Sequence, residues 1–271
     1  MEDPKTTRLR SAWSTLAVVI LALATHSPSL QTGLFADDFV HHHVLEHGRF
    51  GPTLRPWALF DFRTALAFEQ ADSDLAGVPW WTATDWKARF WRPVASLWIW
   101  AEHSLSPQPQ GHQAAALGLF ALLVGVVHRF ALQLGLTPRA ATLGAALFSL
   151  QTSTHIPVAW TANRNSLLEA TFGVLALALA LAATRRTGRG ATCVAWSAIL
   201  AALLATLSKE SGLLFLGLIA WLLGVAPRTA EVDPSGARTR RPTLASIALV
   251  AMLAYPLLWS ATGHGSTSLY Y

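Results

Sequence analysis

Seven blocks of apolar residues, most of them near the length that crosses a bilayer, constrain this chain more than anything else in its sequence. They cover residues 11–30, 112–134, 139–158, 165–183, 191–207, 212–226 and 243–261. A helix rises about 1.5 Å per residue, so roughly 20 apolar residues match a hydrocarbon core about 30 Å thick. Within that core each segment must satisfy its own backbone N–H and C=O groups, which a helix does. The expected fold class is an all-α polytopic membrane protein with about seven transmembrane helices. With 52% hydrophobic and 13% charged residues, the chain is too apolar for a soluble domain.

Charge then orients the blocks. The formal net charge is +5, which in a soluble protein would point to nucleic acid. Here the basic residues sit in short loops between blocks, so they report topology, and no nucleic-acid partner is expected. The segment 94–101, between Arg92 and Glu102, is apolar but short. If it does not cross, every basic cluster falls on one side: Lys5/Arg8/Arg10, His128/Arg129/Arg139, Arg185/Arg186/Arg189 and Arg228/Arg238/Arg240/Arg241. The positive-inside rule then makes residues 1–10 a cytoplasmic N-terminus and 11–30 the first span. Residues 31–111 become an extracytoplasmic loop, 112–262 hold six further spans, and 263–271 form an extracytoplasmic tail. The first block resembles a signal peptide but lacks a small-residue cleavage site, so an uncleaved helix is expected. Cys193 is the lone cysteine, which excludes an intrachain disulfide and a Cys-based metal site.

The first loop is unlike the others. Residues 31–92 hold eight of the fifteen acids together with Trp57, Trp80, Trp81, Trp86 and Trp91. The aromatic content argues against disorder, and Trp favours the membrane interface. Short helices are expected at 64–70, lying along the interface, and at 93–103, interfacial or re-entrant.

At the start of this loop stand Asp37 and Asp38, adjacent carboxylates in the apolar setting Gly33-Leu34-Phe35-Ala36-Asp37-Asp38-Phe39. Like charges this close repel, and a nearby low dielectric penalises them further. A metal, a basic partner or a reaction accounts for such a pair; a solvated loop start with a helix-capping Asp is the plainer reading. Three more signatures share its side of the membrane. They are Phe90-Trp91-Arg92-Pro93-Val94 with Gly111-His112, then His155-Ile156-Pro157-Val158-Ala159-Trp160 with Asn163-Arg164-Asn165, and Ser208-Lys209-Glu210-Ser211.

In that order the four signatures resemble the GT-C superfamily of membrane glycosyltransferases, in the branch of protein O-mannosyltransferases and TMTC-type proteins with their bacterial relatives. The resemblance runs over about residues 35–212. It implies a core of about seven helices, a site facing the periplasm or lumen, a polyprenyl-phosphate-linked sugar donor, and inverting transfer to an acceptor that is a protein, lipid or glycan. It implies a multi-pass protein of the bacterial inner membrane. Two departures stand out: relatives usually continue beyond the point where this chain stops, and Asn165 stands where an acid is common. The alternative is therefore a non-catalytic or truncated GT-C-like protein acting as a partner or assembly factor.

The residues suggest the chemistry independently. Transfer needs a base for the acceptor hydroxyl and cations for the leaving phosphate. Asp37 or Asp38 is the base, and the resemblance points to the first; the other orients it or binds a divalent metal such as Mg or Mn. Arg92, Arg164 and Lys209 are the phosphate-binding candidates, with snorkelling to the interface as the other use of the two arginines. His112, His155, Trp160 and Glu210 are candidate substrate contacts. Asp37, Asp38, His43 and His47 are the candidate metal ligands, since His43 and His47 share a helical face. Glu169, one turn into its helix, is expected to be solvated or paired with Arg164. A transporter is less expected, because its charges would lie within the spans.

Overall fold

The computed structural model describes residues 4–47, 56–62, 88–225 and 240–266. Within them lie ten α-helices: α1 (Pro4–His26), α2 (Asp38–His47), α3 (Pro93–Leu105), α4 (Pro109–Gln133), α5 (Pro138–Leu150), α6 (His155–Ala159), α7 (Arg164–Thr184), α8 (Gly188–Ser208), α9 (Leu213–Val225) and α10 (Arg240–Ala261). The helix expected at 64–70 falls outside the described residues, as do Trp80, Trp81 and Trp86.

Five helical stretches are long and apolar enough to cross a membrane: Leu9–Gln31, Pro109–Gln133, Thr161–Thr184, Gly188–Ser208 and Thr243–Ala261. The two remaining apolar blocks form shorter helices, α5 and α9, of 13 residues each. At about 1.5 Å per residue they reach about 20 Å, short of a full hydrocarbon core. The block expected at 139–158 is divided because the chain turns extended at Gln151 (φ −64°, ψ 135°). The Thr154 hydroxyl donates to the Gln151 carbonyl at 2.6 Å, an alternative to helical pairing. Three residues on, Pro157 has no N–H with which to continue α5. The segment 93–103 does form a helix, α3, also of 13 residues.

Prolines set the helix starts. Pro93, Pro109 and Pro138 each occupy the first turn of α3, α4 and α5, where a missing N–H costs nothing. At α5 the Thr137 side chain accepts from the Ala140 N–H. Two apolar cores result. One joins α1, α2, α3, α4, α5 and the start of α7, around Phe120, Ile99, Val124 and Leu168. The other joins the rest of α7 with α8, α9 and α10. Buried alanines line the α7–α8 contact (Ala176, Ala180 and Ala183 with Ala195, Ala198 and Ala202), which lets the two backbones approach closely.

The chain also contains a small antiparallel sheet that the apolar pattern does not announce. It pairs β1 (Asp61–Phe62), β2 (Ala88–Arg89) and β3 (Gly265–Ser266) in that order. Asp61 stands opposite Arg89 across the ladder, and the pair makes two hydrogen bonds, of 2.9 and 3.2 Å. Arg89 also donates to the Gly263 carbonyl at 3.1 Å, tying the end of α10 to the first loop. The bundle thus has two unlike ends. One carries α2, α3, the small sheet and the turns at 151–163 and 209–212; the other carries the turns at 134–137 and 185–187.

The tight turn at 209–212 depends on Gly212. A Cβ there would stand 2.4 Å from the Ala205 carbonyl carbon and the Thr206 nitrogen, backbone atoms that cannot rotate away. Gly212→Ala should therefore cost about 1–3 kcal/mol. Gly144→Ala, where nothing lies within 4 Å of the new methyl, should be neutral or slightly stabilising. Thermal unfolding of the two variants in detergent micelles checks the contrast.

Candidate functional site

The two adjacent acids are treated very differently by the fold. Asp38 is buried while Asp37 is exposed. The Asp38 carboxylate accepts three backbone N–H bonds: from Phe35 at 3.1 Å, Thr161 at 3.2 Å and Ala162 at 2.5 Å. Its own N–H donates back to the Phe35 carbonyl at 3.0 Å. These bonds close a tight turn in which Ala36 takes a left-handed conformation (φ 49°), a cost for a residue with a Cβ. Burial pushes the Asp38 carboxyl up, against the N–H bonds and the Arg164 charge, which pull it down. Asp38 is therefore a staple between the first loop and the turn at 161–162, and Asp37 is the acid left facing solvent.

Arg164, Glu102 and His112 form the second element. Arg164 is fully buried, so it does not snorkel. Its Nε donates to Glu102 Oε1 at 3.0 Å, and its Nη2 donates to the His112 carbonyl at 2.9 Å. The Glu102 carboxylate also accepts from Trp98 Nε1 and meets His112 Nδ1 at 3.1 Å. Arg164 Nη1 is buried with no hydrogen-bond partner among the described residues. Glu102 was not among the residues singled out from the sequence. The available signal was its position four residues after Trp98 on a short apolar helix, in a chain where acids are scarce.

Arg92 and the turn at 209–212 form the third. Arg92 grips Glu210 through Nε and Nη2, with distances of 3.0 and 2.8 Å to Oε2. Its guanidinium also lies over the rings of Phe60 and Phe90. Lys209 Nζ donates to Ser166 Oγ at 2.8 Å. Glu169 does not pair with Arg164: it hydrogen-bonds Ser211, with Lys209 and Arg92 within electrostatic range. The reason is helical geometry, because Ser166 and Glu169 share a face of α7 whereas Arg164 and Glu169, five residues apart, do not. Gln113, buried, completes the frame by donating to the Gly33 and Ala159 carbonyls.

The remaining candidates separate. Trp160 lies edge-on to Phe35, 5.9 Å between centroids, and its indole N–H has no partner among the described residues. His155 stacks on His26 at the end of α1, and no described hydrogen bond joins it to the acids. Among the described residues no three His, Cys, Asp or Glu side chains converge as a metal site. His43 and His47 share α2 with Asp38, but the carboxylate of Asp38 is committed to backbone N–H groups, and the His47 side chain lies outside the described residues. Instead His42 meets Glu46 at 3.1 Å, and the rings of His42, His103 and His112 contact in series.

His41 of α2 is buried against Phe60. Burial pushes its imidazole down to about 4, and the Arg92 charge acts in the same direction. No family model, curated protein or solved structure matches this chain.

Removing Glu102 alone would leave Arg164 charged and buried. Glu102→Ala should cost about 3–5 kcal/mol, and a paired Glu102→Leu, Arg164→Met replacement should cost well under the sum of the single changes. Unfolding of the single and double variants in micelles measures the coupling. A second outcome follows from His41. A lowered folded-state value means that its neutral form stabilises the fold above the ordinary histidine range, and this contribution is lost as pH falls from about 6.5 toward 4. The loss is on the order of 3 kcal/mol. Asp38, with its raised carboxyl, acts in the opposite sense, losing its contribution as pH rises. The melting temperature should drop more steeply between pH 7 and pH 5 in the native chain than in His41→Leu; equal drops would exclude His41 as the cause.

Proposed function

We propose that this protein is an integral-membrane glycosyltransferase that moves a sugar from a polyprenyl-phosphate-linked donor to an acceptor hydroxyl. The reaction takes place at the end of the bundle that carries Asp37, which the distribution of basic loops assigns to the extracytoplasmic side. One observation carries the reading: segments far apart in sequence converge on Asp38, whose neighbour Asp37 is exposed. Asp38 and the turn at 161–162 hold that acid in place, and two buried donors beside the turn, Arg164 Nη1 and Trp160 Nε1, have no partner among the described residues. Buried donors of this kind fit an oxygen-rich ligand. The resemblance of the four ordered signatures to the GT-C superfamily supports the same reading.

The roles follow from the environments. Asp37, exposed, takes the proton from the acceptor hydroxyl as its oxygen bonds to the sugar C1. The C1–O bond to phosphate breaks, and its electron pair leaves on the polyprenyl phosphate. Lys209, held by a neutral hydroxyl, is the cation that meets that phosphate, while Arg92 is paired with Glu210. Asp38, already saturated with N–H bonds, orients the turn instead of taking a proton. The non-catalytic alternative draws on one observation: Arg92 and Arg164 each already face a carboxylate.

Incubating membranes with labelled polyprenyl-phosphate sugars tests both readings. Asp37→Asn should reduce label transfer about 10²–10⁴-fold with little effect on melting, as removal of a general base does. Asp38→Asn should lower both transfer and melting temperature. Full transfer by Asp37→Asn would overturn the catalytic assignment, and no transfer by the native chain with any donor would favour the assembly role.

A further inference from the structure

Imidazoles from three helices meet at the polar end of the bundle. The ring of His103, near the end of α3, lies 5.3 Å from that of His42 in α2, edge to face. On its other side it stacks on the ring of His112 in α4, at 5.9 Å. Each end of this column touches an acid. His42 Nε2 meets Glu46 Oε1 at 3.1 Å, one turn further along α2. His112 Nδ1 meets Glu102 Oε2 at 3.1 Å, and the same carboxylate is held by Arg164. His103 stands between the two rings, and its Nδ1 is buried with no hydrogen-bond partner among the described residues.

This arrangement suits a neutral His103 and opposes a charged one. A neutral imidazole can leave one nitrogen as a bare acceptor, whereas an imidazolium donates from both. Charging His103 would therefore bury a donor with nothing to receive it, and an unmet charged group costs more than an unmet neutral one. It would also set a positive charge against two neighbouring imidazoles, so that their own protonation becomes harder. Glu102, beyond His112, already faces Arg164 and has no second negative charge to offer. Burial, with His42 and His112 beside it, holds His103 below the ordinary histidine range, against the pull of Glu46. Asp38 and His41 of α2 face other neighbours: Asp38 bonds the N–H groups at 161–162, and His41 lies against Phe60 with the Arg92 charge in range. A lowered folded-state value means that the neutral column holds fully above the ordinary histidine range and weakens as pH falls below about 6.5. Helix α2 rests on the first core through Val40, Val44 and Leu45 but is not one of the long spans, so it can loosen while they hold.

We propose that His103, clasped between His42 and His112, is an acid-operated latch: neutral, it fastens the second half of α2 to α3 and α4, and protonated, it lets that half loosen. Asp37 stands immediately before α2, so the latch bears on the transfer site proposed above, but the loosening of α2 does not depend on that reading.

Hydrogen exchange of the full chain in lipid nanodiscs, read by mass spectrometry and corrected for the intrinsic pH dependence of exchange, tests the latch. The parent is His41→Leu, which removes the buried imidazole elsewhere on α2. Between pH 7.5 and pH 5 the amides of residues 42–47 should lose protection at least tenfold, while those of α7 and α8 keep theirs. Adding His103→Phe, which keeps an aromatic ring and cannot charge, should preserve the α2 protection at pH 5. His103→Gln, neutral and smaller, should do the same. Unchanged α2 protection in the parent would overturn the proposal, as would an equal acid loss in both neutral variants. A loss shared by α7 and α8 would also overturn it, because the transition would then be global unfolding.

Discussion

A guanidinium sealed into an apolar bundle is untenable without a counter-charge, and the pairing of Arg164 with Glu102 meets that demand across 62 residues of sequence. The pair determines more than its own geometry. Glu102 belongs to the short helix α3, so the bond draws that helix onto the starts of α4 and α7. The His112 carbonyl and imidazole are held by the same two side chains, which sets where α4 begins relative to α7. The turn that follows Trp160 is then in place to donate its N–H groups to Asp38.

The division between Asp37 and Asp38 follows from that placement. Two adjacent carboxylates in one low-dielectric pocket would oppose each other's charge. The fold separates their environments, saturating one with backbone donors and leaving the other in solvent. This leaves Asp37 as the carboxylate in contact with solvent. It also explains why a residue as unsuited to a left-handed backbone as Ala36 is tolerated there: reciprocal bonds between Phe35 and Asp38 hold the turn closed.

The two ends of the bundle differ in how they treat positive charge. Around the acids, Arg92 and Arg164 are matched by carboxylates from distant segments, and Lys209 rests on a hydroxyl within range of Glu169. At the opposite end Arg129 bonds the Ser11 hydroxyl and borders an apolar groove.

Much of this was legible in the residues. The five long helices follow from block length and apolarity alone, because a bilayer-length helix needs only local composition. The short helix α3 was legible from its bounding Arg92-Pro93 and Glu102. The break at Gln151 was not, since Thr-Ser-Thr hydroxyls and Pro157 interrupt a run that remains apolar on average. Nor was the small sheet, whose strands are two residues long and come from distant parts of the chain. By itself the sequence determined the class of fold, the grouping of basic loops and the scarcity of charge. Only tertiary structure decided which carboxylate meets which cation, as with Arg92 and Glu210 across 118 residues, and which of two identical neighbouring acids is buried. The physical reason is range: apolarity and helical period are local properties, whereas charge pairing and burial depend on what the rest of the chain brings within about 3 Å.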